Sequence, residues 1–316
     1  MTATDATGTA PTSSVWFVRS LAKAMGDALR GGSVTRMLVP PRETVEDTAG
    51  TRFISMPAVS PDHDLYVNKV ATIVASPVPG RGSTVTSLVP MFSVSTGRYL
   101  GALDGATVTN LKCAAVTALV TDRCAAPDSR VLGIIGAGVQ ARQQFLGVST
   151  VRDLAEVRVF SRDAGRAAAF ARDIGAMAAT AGSPVEVVVC DSAEQASRGA
   201  DILSTATTST TPLPVPADGL PDHAHINCMG AHTTESRELP AELLRTSVVV
   251  VEDLGTAVAE AGGSHVHAVE LDVLVGPASD DFAGRRTVFA STGCAYLDLI
   301  TCAHLNSHTD LPTTHE

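Results

Sequence analysis

The stretch Arg130-Val-Leu-Gly-Ile-Ile-Gly-Ala-Gly-Val-Gln-Ala-Arg142 decides how this chain folds. An apolar run, 131–135, breaks at Gly136-Ala137-Gly138, and a helix-compatible run, 139–148, follows at once. The spacing is G-x-G-x-x-A, with Ala141 in the third small position. Gly136 lets a strand turn sharply into a helix. Gly138 lets the backbone approach a pyrophosphate, and Ala141 lets the helix pack close to the strand. The first turn of that helix, with Val139 and Gln140, then offers its N–H groups and positive dipole end to the phosphates. As a bare pattern the spacing is weak. Its place, after a strand-like run and at the head of an alternating region, makes it a dinucleotide turn.

Working outward, strand-like runs recur at 157–160, 185–190, 202–206, 225–229, 247–252 and 286–291, mostly with helical stretches between them, the first at 164–174. Such alternation predicts a Rossmann-type, doubly wound parallel sheet. The first hundred residues read differently. An amphipathic helix over 15–29 presents Phe17, Leu21, Met25 and Leu29 on one face and ends at Gly31-Gly32. Runs at 35–39, 51–56, 66–75, 83–95 and 97–103 predict a mostly antiparallel sheet, with a turn at 77–82. A helix of small and apolar residues over 109–123 joins the two regions, and a last helix over 293–304 returns to the first. The fold class is therefore α/β: a doubly wound sheet over 128–292, plus a smaller α+β domain from 1–127 with 293–316.

Composition narrows the function. The chain has 316 residues, 45% hydrophobic and 18% charged, as in a globular protein with a large core. Its net charge of −10 gives no electrostatic footprint for nucleic acid or an anionic membrane. Six cysteines, none in a C-x-x-C pair and most in apolar runs, read as buried thiols of a reducing compartment. The Thr/Ala/Ser-rich start, 1–14, lacks the apolar stretch of a signal peptide, so a cytoplasmic protein is expected. His265 and His267 lack an evident third ligand, and no metal is expected.

In NAD-binding units the second strand usually ends in an acid that takes the ribose 2′-hydroxyl. Here it ends in Ser161-Arg162, which welcome a 2′-phosphate. NADP(H) is favoured and NAD(H) remains possible, because Asp163 follows directly. Thr205, Ala206 and Thr207 end the fourth strand, where the nicotinamide side of such sites is lined.

Six ordered blocks resemble the ornithine cyclodeaminase/mu-crystallin family. They are Ser55-Met-Pro-Ala58 with Lys69, Leu103 to Ala115, Gly136 to Ala141, Ala200 to Thr207, Met229 to Leu239, and Val288 to Gly293 with Asp298. The resemblance implies a homodimer that binds an α-amino, α-imino or keto acid and moves a hydride between Cα and a nicotinamide. By the same resemblance, Lys69 aligns with a lysine near the substrate carboxylate, and Arg42 with a carboxylate-binding arginine. A loop charge is the alternative for Arg42. Ser291 joins the cofactor set; for it and Asp298 a helix cap or helix-terminus bond is the other reading.

Two positions depart from the family. Lys112 stands where Arg is usual, keeping the charge without the bidentate fork. His232 stands where cyclodeaminases carry Asp; a His shuttles protons near neutral pH, or only shapes the pocket rim. Both losses argue against ornithine cyclodeamination. The expected activity is an NAD(P)H-dependent imine or ketimine reductase, or the reverse amino-acid dehydrogenase. Lys69 and His232 would be catalytic, and Arg42, Lys69 and Lys112 would bind substrate. The alternatives are a cyclodeaminase that recycles its cofactor and a binding protein without chemistry.

Overall fold

The computed structural model describes residues 15–74, 84–230, 233, 237–276, 282 and 284–308. The chain opens with helix α1 (Val15–Arg30), then strands β1 (Glu43–Glu46), β2 (Arg52–Ser60), β3 (Leu65–Ile73), β4 (Val85–Phe92) and β5 (Tyr99–Asp104). Helix α2 (Gly105–Cys124) leads into β6 (Val131–Ile135), α3 (Val139–Val151), β7 (Glu156–Phe160), α4 (Ala164–Thr180) and β8 (Glu186–Val189). Next come α5 (Ala193–Ser197), β9 (Ile202–Thr205), β10 (His225–Cys228), α6 (Ala241–Thr246), β11 (Val248–Val251) and α7 (Leu254–Ala261). The described chain closes with β12 (Val269–Glu270), α8 (Leu271–Val275), β13 (Thr287–Ala290) and α9 (Ala295–His308).

Two compact units result. One holds the described residues of Met1–Lys23 and Cys113–Thr292, the other Ala24–Lys112 and the described residues of Gly293–Glu316. The first is built on eight parallel strands in the order β12-β11-β13-β10-β9-β6-β7-β8. The order reverses beside β6, whose neighbours are β7 and β9, and ligands of such sheets sit beyond the carboxyl ends of the strands at that point. Strands covered on both faces read as continuous apolar runs. Leu132 and Ile134 of β6 pack with Phe145, Val157 and Ile174, while Ile135 packs with Leu203, Ile226 and Val288 in a second core.

The second unit is an antiparallel meander, β1-β2-β3-β4-β5. Its strands alternate. Met56, Ala58, Leu65, Val67, Val89 and Met91 are buried, and α9 packs against β2 and β3. The other face carries Val45 opposite Phe53, Val70 opposite Leu88, and a ladder of rings. Tyr66 and Phe92 have centroids 5.9 Å apart, Phe92 and Tyr99 5.3 Å.

The apolar face expected for the first helix, Phe17, Leu21, Met25 and Leu29, is buried throughout. Two local expectations fail. Residues 35–39 do not form a strand; Val34–Arg36 is a 3-10 turn, and only Leu38 bridges, to Val59. The polar link after it contains β1 instead. Glu43–Glu46 is exposed along its whole length at a sheet edge, so no apolar alternation marks it. The turn expected at 77–82 lies outside the described residues. All six cysteines are buried as thiols. Among the described residues no helix is long and apolar enough to cross a membrane.

Candidate active site

The parallel-sheet unit carries a groove of about 210 Å³ at the ends of β6, β7 and β9. Gly136 leaves β6 at φ +119°, a region L side chains rarely adopt, and a Cβ there would run into the carbonyl of Ala206. Gly138 starts α3 in extended backbone, and no side chain caps the helix. A Cβ on Gly138 would meet nothing within 4 Å, so this side of the turn is open. Ala141 is fully buried beneath. Val139 is exposed on the first turn, with Gln140 half-buried beside it. A close backbone approach, N–H groups without a side-chain cap and a helix dipole fit a pyrophosphate. The residues thus fit a nicotinamide dinucleotide.

Ser161, Arg162 and Arg166 line the same groove. Arg166, on the first turn of α4, was not singled out by sequence. Asp163 is engaged with its own helix. Its carboxylate accepts the Arg166 backbone N–H at 3.0 Å and caps α4.

Ala206 and Thr207 also line the groove. The Thr205 and Thr207 hydroxyls, however, both donate to Glu238, Thr205 at 2.9 Å. Glu238 is completely buried, and it also accepts the backbone N–H of Thr207 at 2.6 Å and of Gly230 at 2.7 Å. One carboxylate thus ties the loop after β9 to the loop after β10. Ser291 is held in a similar way: its hydroxyl and the Thr292 N–H donate to the two oxygens of Glu252 at the end of β11. The threonine partners of Glu238 lie 31 and 33 residues away in sequence and the partners of Glu252 lie 39 and 40 away, so neither role can be read locally, although Gly230 is only 8 residues from Glu238.

In the antiparallel-sheet unit, two of the expected lysines meet. Lys69 lies on the inward face of β3 with Leu65 and Val67, and Lys112 lies on the buried stretch of α2; both are buried. Lys69 Nζ is 2.7 Å from Asp298 Oδ2, and Lys112 Nζ is 3.1 Å from Oδ1. Asp298 is fully buried in the first turn of α9, where the helix dipole favours an anion. Burial alone would push its carboxyl up, but the Lys112 and Lys69 ammonium groups together outweigh that and hold it below the usual carboxylate range. Arg42 reaches the same helix start, where its Nη2 donates to the Gly293 carbonyl at 2.7 Å. Gly293 has φ +73°, and a Cβ on it would stand 3.3 Å from Lys112 Nζ. His232 lies outside the described residues.

The model of the ornithine cyclodeaminase/mu-crystallin family matches residues 7–305. The chain belongs to this family. It is 32% identical over 250 residues to the ketimine reductase mu-crystallin of Rattus norvegicus, covering 78% of this chain and 76% of that protein. Among solved members of this fold, the Δ1-pyrroline-2-carboxylate reductase of Thermococcus litoralis, in complex with NADH and L-proline, superposes with a TM-score of 0.81 at 27% identity, over 93% of this chain and 96% of that one. An archaeal alanine dehydrogenase dimer with bound NAD gives a TM-score of 0.78 at 25% identity, over 92% of each chain. Membership in the ornithine cyclodeaminase/mu-crystallin family and the α/β architecture thus agree.

Proposed function

We propose that the chain is an NAD(P)H-dependent oxidoreductase of C=N bonds whose substrate is a cyclic α-imino carboxylate of the Δ1-pyrroline-2-carboxylate kind. The observation that carries this reading is the buried pair of ammonium groups, Lys69 and Lys112, sharing Asp298. The names of the rat and Thermococcus relatives point the same way. When bound, the nicotinamide supplies a hydride to the imine carbon. The chain's own residues do the rest. Lys69, Lys112 and Arg42 hold the substrate carboxylate, and Lys69 or His232 delivers the proton to the imine nitrogen. A desolvated site strengthens those charge–charge contacts.

The same reading assigns the unit built on the parallel sheet to the dinucleotide, and the unit built on the antiparallel sheet to substrate and dimerisation. NADP(H) is the proposed cofactor, on the strength of Ser161, Arg162 and Arg166 lining the groove while Asp163 is engaged as a cap. The two solved relatives hold NADH or NAD, so this preference rests on residues of this chain alone. A homodimer is proposed through the ring-bearing face of the antiparallel sheet, with the dimeric alanine dehydrogenase as support. The six buried thiols support a cytoplasmic location.

The test is turnover of cyclic ketimines, followed at the nicotinamide absorbance with NADPH and NADH side by side. Stoichiometric cofactor oxidation to the cyclic amino acid supports the proposal. Ammonia release from a diamino acid without net cofactor change would make the chain a cyclodeaminase. Tight NADPH binding with no turnover of any amino, imino or keto acid would make it a binding protein.

A further inference from the structure

Three segments far apart in sequence bring Lys69, Lys112 and Asp298 together, and all three side chains are buried. As a device for stability such a triad is poor, because apolar residues of the same volume usually serve a core as well or better. Its geometry is specific. Each oxygen of one carboxylate takes one ammonium, so neither lysine has Asp298 to itself. The two lysines carry two positive charges and Asp298 one negative, which leaves the three groups with one positive charge where the proposed function puts a substrate carboxylate.

We propose that Asp298 is a positioning residue: its carboxylate keeps Lys69 and Lys112 protonated at the same time and fixes both ammonium groups for the incoming carboxylate. The inference rests on the reading that these lysines serve the substrate. The physical cause is repulsion. Two ammonium groups buried side by side disfavour each other's charge, and burial disfavours both; a shared anion reverses the balance. The other groups packed around Asp298 leave it this role. From α9 itself comes Cys302, whose thiol is pushed far up by burial and then by Asp298, and so stays neutral. On the same helix the buried phenol of Tyr296 precedes Asp298 by two residues in sequence, and His304 follows Cys302. From β3 comes Lys69 and from α2 Lys112, while the inward residues of β2, Met56, Ala58 and Ser60, carry no charge. Arg42 adds a cation at the start of α9 through the Gly293 carbonyl.

The sign follows. An anion 2.7 Å from one ammonium and 3.1 Å from the other favours the charged form of both, so its isosteric removal should lower their midpoints. In D298N one lysine should lose its proton about one pH unit or more below its wild-type midpoint, and the alkaline limb of kcat/KM should move down equally, with activity best preserved at the acid end. K112M should do the opposite, because Lys69 then has the whole carboxylate and its midpoint rises. The measurement is a titration of the lysine Cε shifts in 13C-lysine protein from about pH 6 to pH 11, with K69M and K112M giving the assignments. It is run beside the pH profile of reduction. Opposite shifts in D298N and K112M support the proposal. Unmoved lysine midpoints, or a profile merely scaled down at every pH, overturn it. If D298N does not fold, the wild-type midpoints decide: both lysines at or above the ordinary lysine value of about 10.4 support the proposal, and one lysine well below it overturns it. The lysine titration needs no turnover, so a protein that reduces no ketimine would sink the proposed function while leaving the role of Asp298 to its own result.

Discussion

Asp163 accepts the backbone N–H of Arg166 at 3.0 Å, and the acid that argues for NAD in the sequence is thereby a helix cap. A capping carboxylate is oriented by its own helix and stabilises it by about 1 kcal/mol. That leaves Ser161, Arg162 and Arg166 as the polar groups at the end of β7 in the groove. Arg162→Ala and Arg166→Ala should each weaken NADPH by roughly tenfold or more and NADH little, because a charge-assisted contact to a phosphate is worth about 1.5–3 kcal/mol. Dissociation constants for both dinucleotides, from fluorescence titration, check this. Equal losses for the two cofactors would remove the basis for the NADP(H) preference.

Glu238 gives a second test. Its two oxygens accept from Thr205, Thr207 and Gly230, and it has no exposed surface. Glu238→Gln keeps the shape but turns an NH₂ toward donors that need an acceptor, which costs about 1–3 kcal/mol for each group left unsatisfied. The variant should melt at a lower temperature and bind either dinucleotide more weakly, since the loops after β9 and β10 lose their shared anchor. Unchanged melting and binding would mean that the loops are held by other contacts.

These two sites differ in how far the sequence discloses them. The turn at Gly136 is local: the strand, the two glycines and Ala141 lie within eleven residues, and each residue type answers one steric demand. Lys69 stands out because a charge interrupts an apolar strand. Asp298 is marked only by the family resemblance, and neither its pairing with both lysines nor the tie of Glu238 to Thr205 can be read locally, because folding brings those partners together. Asp163 is ambiguous in principle, because an acid after a strand both caps a following helix and binds a ribose. Edge strand β1 escapes for a different reason: exposed on both faces, Glu43–Glu46 carries no pattern for burial to impose.

The buried His225 makes stability depend on acid. It has no exposed surface, its Nδ1 lies 2.8 Å from Thr287 Oγ1, and its Nε2 lies 3.1 Å from Asn227 Oδ1. Burial pushes its pKa down to about 3, against the Asn227 contact and helped by Arg152 nearby. The unfolded chain, near 6.5, therefore binds a proton that the folded chain refuses. Stability is fully present above about pH 6.5 and falls with decreasing pH toward about pH 3, by at most about 1.4 kcal/mol per pH unit. His225→Gln should be less stable at neutral pH but lose less on acidification. Denaturant midpoints across that window, wild type against variant, measure the difference; parallel curves would show that His225 is not the group responsible.

The ring-bearing face of the antiparallel sheet makes the last prediction. Val45, Phe53, Val70, Leu88 and Tyr99 are exposed, and registers Val45–Phe53, Val70–Leu88 and Phe92–Tyr99 place them side by side across the strands. Monomers rarely leave so continuous an apolar face in water, and a two-fold partner would cover it with the same face. Light scattering at micromolar concentration should give twice the chain mass. Leu88→Asp puts a charge in the middle of this face, next to Asp104 in the register. A two-fold axis counts that charge twice, so the variant should run as a monomer. Leu88 is already half in solvent, so the monomer's own fold should tolerate the change, with its circular dichroism unaltered. Phe53→Asp, on β2 at the other side of the sheet, should act alike. A wild-type monomer, or variants that stay dimeric, would show that this face is not the contact between copies.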